Sequence, residues 1–416
     1  MVLADPGVGN DRQPVHTVYG GAQLFKAETP ARLGTLALEL IRNYTPDASS
    51  FAECLGLPPG ELARSVFERT VAKLEREPVE DFRIDFEDGY GYRSDAEEDG
   101  HAVSTAQMLA RVKLPFSGIR IKPFTEALRA RSGRTLDLFL NALLHEKNAL
   151  PTNFVITLPK ITAPAQVNEL VELLAKAEAR HGLESGALKI ELMIETPQSI
   201  IDSSGSFAIP KLLEAAEGRC RGLHFGPYDY SASCNIAAAE QRLDHPACDF
   251  ARHVMQVCAA DRDVTLSDGP STILPIPRHR NPLTGEQRAE NRTIVHRAMR
   301  HHFDLVQRSL ANGYYQGWDL HPGQLPTRYA AVYAFFLKRL DAAAARLRNF
   351  IDKAAQATLV GDVFDDAATG QGLLNFLLRG VNCGAFTEEE AVASGLTIQE
   401  LRGRSFLQIM ENRRKQ

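Results

Sequence analysis

The order of apolar and polar positions along the chain predicts strands that alternate with helices. Residues 192–194 form a short apolar run that ends at the carboxylate of Glu195, and Pro197 follows two positions later. A short apolar run bounded by a proline is typical of a strand buried on both faces. Residues 81–86 instead alternate between polar and apolar side chains, which is also the pattern of a strand.

Eight such strand patterns occur, and helical patterns separate them. They begin near residues 16, 81, 118, 154, 189, 221, 263 and 314. Eight strand–helix units is the number that closes a TIM barrel. The alternative is an open doubly wound sheet, but no Gly-x-Gly-x-x-Gly sequence follows the first strand. We therefore predict an α/β fold, a TIM (β/α)8 barrel over residues 1–349, with a C-terminal helical extension without strands over residues 350–416.

Composition and charge argue against two classes of binding partner, nucleic acids and membranes. The chain has 416 residues, 44% hydrophobic and 24% charged, with a net charge of -5. An acidic chain has no basic field that would recruit nucleic acid or an anionic membrane, and no apolar run approaches the roughly 20 residues of a membrane helix. Six scattered cysteines without a Cys-x-x-Cys pair, and no signal-peptide pattern, predict a cytoplasmic protein.

Charged and polar side chains collect where the predicted strands end. In chain order they are Glu87, Asp88, Arg120, Lys122, Lys160, Glu195, Asp229, Asp268 and His321. The carboxyl ends of the strands form the active-site face of a barrel. The sequence therefore predicts a rim of mixed charge that holds a small anionic substrate.

Two of these carboxylates suggest a metal site. Glu195 and Asp229 end neighbouring strands, so their side chains can converge on one cation. Two carboxylates with open water positions suit Mg²⁺, and Arg120 can form a forked pair with a substrate carboxylate. The structural alternative for Glu195 is an ion pair with an arginine or lysine.

Six short motifs occur in order between about residues 80 and 330. They are Asp85-Phe86-Glu87-Asp88, Ile119-Arg120-Ile121, Leu158-Pro159-Lys160, Ile194-Glu195-Thr196, Gly226-Pro227-Tyr228-Asp229 and His321-Pro322-Gly323-Gln324. Through these motifs the chain resembles the citrate lyase beta-subunit and malyl-CoA lyase family, also called the HpcH/HpaI aldolase family. The resemblance implies a TIM barrel, Mg²⁺ on Glu195 and Asp229, and Arg120 on the substrate. It also implies reversible aldol-type or Claisen-type cleavage, often of acyl-CoA substrates, and a homo-oligomer, trimer or hexamer.

These observations lead to one functional hypothesis and two alternatives. The hypothesis is a Mg²⁺-dependent carbon–carbon lyase that acts on a small hydroxy acid, either free or as its CoA thioester. Arg120, Glu87 and Asp88 are the candidate catalytic residues, and Arg120, Lys122 and Lys160 are the candidate substrate-binding residues. Glu87 and Asp88 could instead only fix the rim through ion pairs. The alternatives are a malate-synthase-like condensing enzyme, and a catalytically silent subunit or metabolite sensor of a larger complex.

Some positions keep more than one interpretation. Lys160 could be a Schiff-base nucleophile, although a metal site makes an imine unnecessary. The polar insertion at 275–293 could be a lid, an anion clamp or a solvated loop. Asp362, Asp365 and Asp366 could complete a neighbouring subunit's site, as a C-terminal carboxylate does in some members of the family, or could form a capped turn.

Overall fold

Eight parallel strands form the centre of the computed structural model. The strands are β1 His16–Gly21, β2 Asp81–Asp85, β3 Phe116–Arg120, β4 Phe154–Leu158, β5 Lys189–Ile194, β6 Cys220–Phe225, β7 Thr265–Ser267 and β8 Gly317–Asp319. The structure describes residues 12–147, 149–260, 262–352, 358–360, 363–365, 367–392, 395–403 and 405–414.

The strands lie in the order β7-β6-β5-β4-β3-β2-β1-β8, and all neighbouring pairs are parallel. The two ends of the sheet meet through a parallel bridge between Ser267 and Gln316. The amide of Asp268 also donates to the carbonyl of Gln316 at 2.9 Å. The sheet is thus a nearly closed barrel, which confirms the predicted fold, and each strand begins within three residues of its predicted start.

Helices surround the barrel and continue beyond it. Those that precede residue 353 are α1 Thr29–Tyr44, α2 Ala48–Leu55, α3 Glu61–Arg76, α4 Asp95–Ala110, α5 Arg129–Lys147, α6 Pro164–His181, α7 Pro197–Ile200, α8 Ala208–Ala215, α9 Pro227–Ser233, α10 Pro246–Ala259, α11 Gly285–Ala311 and α12 Leu325–Asp352. Short 3-10 helices span Ala22–Leu24, Ala238–Glu240 and Pro322–Gln324. Within the described residues, no helix is long and apolar enough to cross a membrane.

Two helices begin with a capping box inside stretches of mostly polar residues. Within residues 45–60, α2 forms because the Asp47 carboxylate accepts from the Ser50 amide at 2.8 Å. In the 275–293 insertion, the hydroxyl of Thr284 accepts from the Gln287 amide at 3.2 Å, and α11 begins at the next residue. The second half of the insertion is therefore helix, and the irregular part ends at residue 284.

The C-terminal segment packs against α12 through α13 Ala367–Asn382, with α14 Glu388–Val392, α15 Ile398–Gly403 and α16 Phe406–Arg414 beyond it. The ring of Phe336 contacts those of Phe376 and Phe386. Two short antiparallel strands, β9 Thr358–Val360 and β10 Val363–Asp365, also form there. The expectation of no strand was wrong, because three-residue strands leave little sequence pattern. Residues 362 and 366 lie outside the described residues, and the domain boundary at residue 350 stays a prediction.

The interior of the barrel is charged below the carboxyl ends of the strands. The Arg83 guanidinium donates to both oxygens of Glu191, at 2.7 and 3.2 Å, and also contacts Asp81. The hydroxyl of Thr157 donates to Glu191 at 3.1 Å. Buried charges persist when they are paired and hydrogen bonded, so these groups replace the branched apolar side chains that usually fill such a barrel.

Candidate active site

A cavity of about 340 Å³ opens at the carboxyl ends of the strands. Most of the charged side chains of the predicted rim lie in or beside it. The cavity is lined by Tyr19, Asp85, Asp88, Gly89, Arg120, Glu195, Gly226, Pro227, Tyr228, Asp229, Pro270, Trp318 and Leu320. These residues come from seven of the eight strands or from the segments that follow them. The sequence-based location of the site therefore agrees with the concave surface that the fold creates.

Arg120 ends β3 and is buried against Asp85, the last residue of β2. Its Nε and Nη2 atoms donate to the two carboxylate oxygens of Asp85 at 2.7 and 2.5 Å. The same oxygens accept from the amides of Glu87 and Gly89 at 2.9 and 2.7 Å. Asp85 thus fixes the orientation of Arg120 and the loop that follows β2.

Two aromatic rings hold the other side of the guanidinium. Its central carbon lies 4.8 Å from the ring centroid of Tyr19 and 5.4 Å from that of Trp318. Cations are attracted to aromatic faces at these distances. The remaining nitrogen, Nη1, lies 3.3 Å from Oε2 of Glu87. Nη1 is therefore the guanidinium nitrogen that Asp85 leaves free for a ligand of the cavity.

The ammonium group of Lys160 joins the acidic side chains at the wall of the cavity. It contacts Glu87, lies 3.0 Å from Asp88 Oδ1 and lies 3.6 Å from Asp229 Oδ2. Burial favours the neutral amine, but Glu87, Glu195 and Asp88 together hold the pKa of Lys160 above its usual range. Because a Schiff base needs a neutral amine, this environment favours Lys160 as a cationic binding group.

Glu195 follows β5 directly and is 1% exposed. Its carboxylate accepts from the backbone amide of Lys160 at 2.7 Å. Within the described residues, no arginine, lysine or histidine forms a salt bridge with it. Burial, with a further contribution from the charge of Asp229, raises the pKa of Glu195 to about 8. A Cβ atom on Gly226 would lie 2.6 Å from Glu195 Oε2, so the glycine makes room for this carboxylate.

Asp229 lies in the first turn of α9, and its side chain is 43% exposed. Glu195 and Asp229 both line the cavity. In the part of the chain that the structure describes, no group of three or more His, Cys, Asp or Glu side chains is arranged to hold a metal. Mg²⁺ often binds through one or two carboxylates and keeps several waters. The buried carboxyl of Glu195, which has no salt-bridge partner among the described residues and lies beside a second carboxylate, therefore fits a ligand that ionises when Mg²⁺ binds.

Glu87 and Asp88 follow β2 and differ in exposure. Burial raises the pKa of Glu87 above its usual range, and the charge of Asp88 adds to that effect. At Asp88, burial is outweighed by a hydrogen bond within the Glu87–Asp88 pair, by Arg120 and by Lys160, so its pKa lies below the usual range. The Asp88 side chain is 58% exposed and lines the cavity, whereas that of Glu87 is 7% exposed and pairs with Lys160.

Three rim candidates make contacts elsewhere. Lys122 donates to the carbonyl of Phe86 and pairs with Glu98 at 2.9 Å, so it lies outside the cavity. Asp268 is buried and accepts from Arg252 and Ser309 at 3.1 and 2.6 Å. Nδ1 of His321 accepts from the amide of Gly323 at 3.0 Å and fixes the turn that follows β8.

Four charged or aromatic residues of the cavity were not predicted as site residues. They are Asp85, Tyr19, Trp318 and Tyr228. Asp81, Arg83 and Asp85 alternate along β2, which was a signal that these charged side chains share one face of the strand. Tyr19, Trp318 and Tyr228 carry no charge, and selection by charge at strand ends does not find them.

Comparisons with known proteins support the fold. No curated protein is significantly similar in sequence to the chain. A crystal structure of a citrate lyase from Burkholderia xenovorans LB400 is 18% identical, with a TM-score of 0.59, over 94% of this chain and 97% of that chain. The protein CitE from Mycobacterium tuberculosis, in complex with magnesium, acetoacetate and coenzyme A, is 15% identical, with a TM-score of 0.50, over 89% of this chain and 97% of that chain.

A malate synthase from Haloferax volcanii is 15% identical with a TM-score of 0.46, over 94% of this chain and 98% of that chain. The likeness to the citrate lyase and to CitE confirms, at the level of the fold, the resemblance to the citrate lyase beta-subunit family. A family model described as "Domain of unknown function (DUF6986)" matches residues 3–409, and the chain belongs to that family.

Proposed function

We propose that the protein is a Mg²⁺-dependent carbon–carbon lyase that cleaves a small hydroxy acid, either free or as its CoA thioester. One observation carries the proposal: a buried arginine, Arg120, lines the same cavity as Glu195, a buried carboxylate that no cationic side chain of the described residues pairs with. This pairing suits an anionic substrate bound beside a cation. The fold is shared with CitE, whose complex contains magnesium, acetoacetate and coenzyme A.

Two cations of this chain would bind the substrate's negative charge. Arg120 presents Nη1, since its other donors are bonded to Asp85. The ammonium of Lys160 lies beside Asp88 and Asp229 at the wall. Glu195 and Asp229 would hold Mg²⁺, which when bound supplies Lewis-acid polarisation of substrate oxygens.

Asp88 is the side chain best placed to accept a proton. It lines the cavity and its low pKa keeps it ionised. In the cleavage direction the substrate hydroxyl loses its proton to Asp88, and its oxygen becomes a carbonyl. The electron pair of the adjacent carbon–carbon bond passes to the other fragment as an enolate. Arg120 and Lys160 stabilise the negative charge that develops, and a proton returns to that fragment's carbon.

Product analysis tests the reaction. The full-length protein with Mg²⁺ is incubated with malyl-CoA, citramalyl-CoA, hydroxymethylglutaryl-CoA and the free hydroxy acids, and the products are identified by mass spectrometry. Cleavage of at least one substrate into two carbon fragments is expected. The condensing alternative predicts instead that acetyl-CoA and glyoxylate yield malate and free CoA. Absence of both outcomes would contradict the proposed function.

Calorimetry tests the metal ligands. We expect Glu195→Gln and Asp229→Asn to weaken Mg²⁺ binding by at least about tenfold, because each removes one anionic ligand. Glu240→Gln, an exposed carboxylate on a 3-10 helix away from the cavity, is the matched control and should bind as the wild type does. If both ligand variants bind Mg²⁺ as tightly as the wild type, the metal assignment is wrong and the lyase proposal fails with it.

The assembly and location of the protein are part of the same proposal. We expect a cytoplasmic homo-oligomer, a trimer or a hexamer, as the family resemblance implies. Size-exclusion chromatography with light scattering measures the mass of the assembly, and fractionation of cells measures its location. A monomer at micromolar concentration would contradict the expected assembly.

A further inference from the structure

A second and larger cavity, of about 510 Å³, opens at the amino ends of the strands. It lies at the opposite end of the barrel from the candidate active site, and we call it the lower cavity. Layers of side chains usually fill a barrel at this level. Here the inward positions of β3 and β6 are glycines, Gly118 and Gly222, and neighbouring inward positions carry the smaller Val155 and Thr265.

One side of the lower cavity is cationic. Lys189 is the first residue of β5 and lies on the same strand face as Glu191. Arg221 lines the cavity as well and pairs with the exposed Asp263 at 3.2 Å. Among the described residues, no hydrogen-bond acceptor or carboxylate contacts the Lys189 ammonium. Burial, followed by the charges of Arg221 and Arg219, lowers the pKa of Lys189, as expected for a cation without an anionic partner.

The neighbouring part of the lining, around the starts of β3 and β4, is apolar. Phe116, Leu150 and Phe154 lie there, and the buried Arg83–Glu191 pair also lines the cavity. The volume lies within the range of about 300–1,000 Å³ that is typical of small-molecule sites. Cationic residues beside an apolar stretch of the lining match a ligand with an anionic head and a short hydrocarbon body.

We propose that the lower cavity binds a small amphipathic carboxylate, with its head on Lys189 and Arg221 and its chain on Phe116, Leu150 and Phe154. The site goes beyond the proposed lyase function and does not depend on it. Glu191 and Asp263 are the carboxylates that line the cavity. Each is already paired, Glu191 with Arg83 and Asp263 with Arg221, and their charge limits the site to ligands with one carboxylate.

Calorimetric titration with hexanoate tests the head group. We expect saturable binding to the full-length protein and binding at least about tenfold weaker in Lys189→Met, which keeps the length of the side chain and removes its charge. Lys113→Met is the matched control, because Lys113 is exposed near the start of β3 and does not line the cavity. Hexylamine and hexanol have the same chain without the anionic head, and neither should bind comparably.

A second variant tests the location without removing a charge. Ala187→Trp should block the lower cavity and abolish hexanoate binding, since Ala187 is half-buried at its lining. Glu195→Gln, in the candidate active site, should bind hexanoate as the wild type does, so the outcome is independent of the lyase proposal. The inference is overturned if the wild type shows no saturable binding, if Lys189→Met and Ala187→Trp both bind normally, or if only Glu195→Gln loses binding.

Discussion

Two buried carboxylates on one strand, Glu191 and Glu195, have opposite electrostatic environments. They lie four residues apart on the inward face of β5 and its extension, and they are 6% and 1% exposed. Arg83 binds Glu191 through two hydrogen bonds, and the combined effect of Arg83 and His224 outweighs burial and holds the pKa of Glu191 well below its usual range. In the described part of the chain Glu195 has no such partner, and burial raises its pKa to about 8.

The comparison shows that burial alone does not identify a functional carboxylate. Burying a charge is costly unless it is paired, and the two residues differ in that pairing. Glu191 completes a layer of paired charges that holds the barrel together. Glu195 instead retains a proton at neutral pH at the edge of a cavity, where a bound cation would favour its ionised form. A cationic partner therefore distinguishes a carboxylate that stabilises the barrel, Glu191, from the one that we propose as a metal ligand, Glu195.

The largest expected effect comes from removal of the partner of Glu191. Arg83→Met leaves Glu191 and Asp81 buried without their cation, and breaking a buried pair on one side typically costs about 3–5 kcal/mol. We expect a loss of that size in the free energy of unfolding, measured by urea denaturation at pH 7. The double variant Arg83→Met with Glu191→Gln should recover part of it. A loss below about 1 kcal/mol in the single variant would contradict the structural role assigned to the pair.

The next effect concerns how stability depends on pH. A carboxylate paired with a cation loses stability as the pH falls, whereas Glu195 should lose stability as the pH rises. The folded-state pKa of Glu195, about 8, lies above the ordinary value of 4.5 for a glutamate side chain. Between these values the folded state retains a proton that the unfolded state has lost, so stability falls as the pH rises. Relative to Glu195→Gln, the wild type without Mg²⁺ should lose about 2–4 kcal/mol between pH 5 and pH 8.

Urea denaturation of both proteins at several pH values measures this difference. Glu240→Gln, which replaces an exposed carboxylate, should follow the wild type at every pH. Saturating Mg²⁺ should stabilise the wild type more at pH 8 than at pH 5, because binding favours the ionised carboxylate. A wild-type curve parallel to that of Glu195→Gln would mean that Glu195 is already compensated in the folded protein.

The barrel itself was predictable because its pattern is local. Apolar runs and alternation are properties of five or six consecutive residues, and charged residues at strand ends indicated which end of the barrel holds the site. The location of Arg120, Glu195 and Asp229 around one cavity followed from that reasoning. The beginning of α11 did not, because its cap at Thr284 lies inside a polar stretch that resembles a loop.

The pairing of the buried charges was not predictable from local pattern. Arg83 and Glu191 are 108 positions apart, and the sequence does not show which carboxylate an arginine will meet. Lys122 illustrates the same limit. Its spacing of two from Arg120 would place both side chains on one face of a continuous strand. However, β3 ends at Arg120, and Lys122 in the following loop reaches Glu98 on α4 instead of the cavity.

A smaller effect is expected from a substitution of Asp85, which holds Arg120 in the candidate active site. Asp85→Asn removes the negative charge that pairs with Arg120. It also replaces one carboxylate oxygen, which accepts a hydrogen bond from a backbone amide of the loop after β2, with an NH₂ group. We expect a loss of about 1–3 kcal/mol in the free energy of unfolding and faster hydrogen exchange at the amides of Glu87 and Gly89. Asp88→Asn, next to the same loop but exposed, should leave both amides protected. Unchanged exchange in Asp85→Asn would show that the loop does not depend on this carboxylate.

The smallest effect tests the contact between the candidate active site and the buried charges below it. The hydroxyl of Tyr19 lies 3.0 Å from Nδ1 of His224, and Nε2 of His224 lies 3.4 Å from Glu191. Tyr19→Phe leaves a buried imidazole nitrogen without its partner and should cost about 1–2 kcal/mol of unfolding free energy.

The pair of Tyr90 and His101 is a matched control, since its 2.8 Å hydrogen bond lies outside the barrel at a half-buried histidine. Tyr90→Phe should cost about 0.5 kcal/mol, because water can replace the lost hydroxyl at His101. Equal costs for the two variants, measured by urea denaturation, would contradict a closed polar interior below the cavity. A larger cost for Tyr19→Phe would show that Tyr19, whose ring contacts Arg120, is held by the buried hydrogen-bonded network that also includes Glu191.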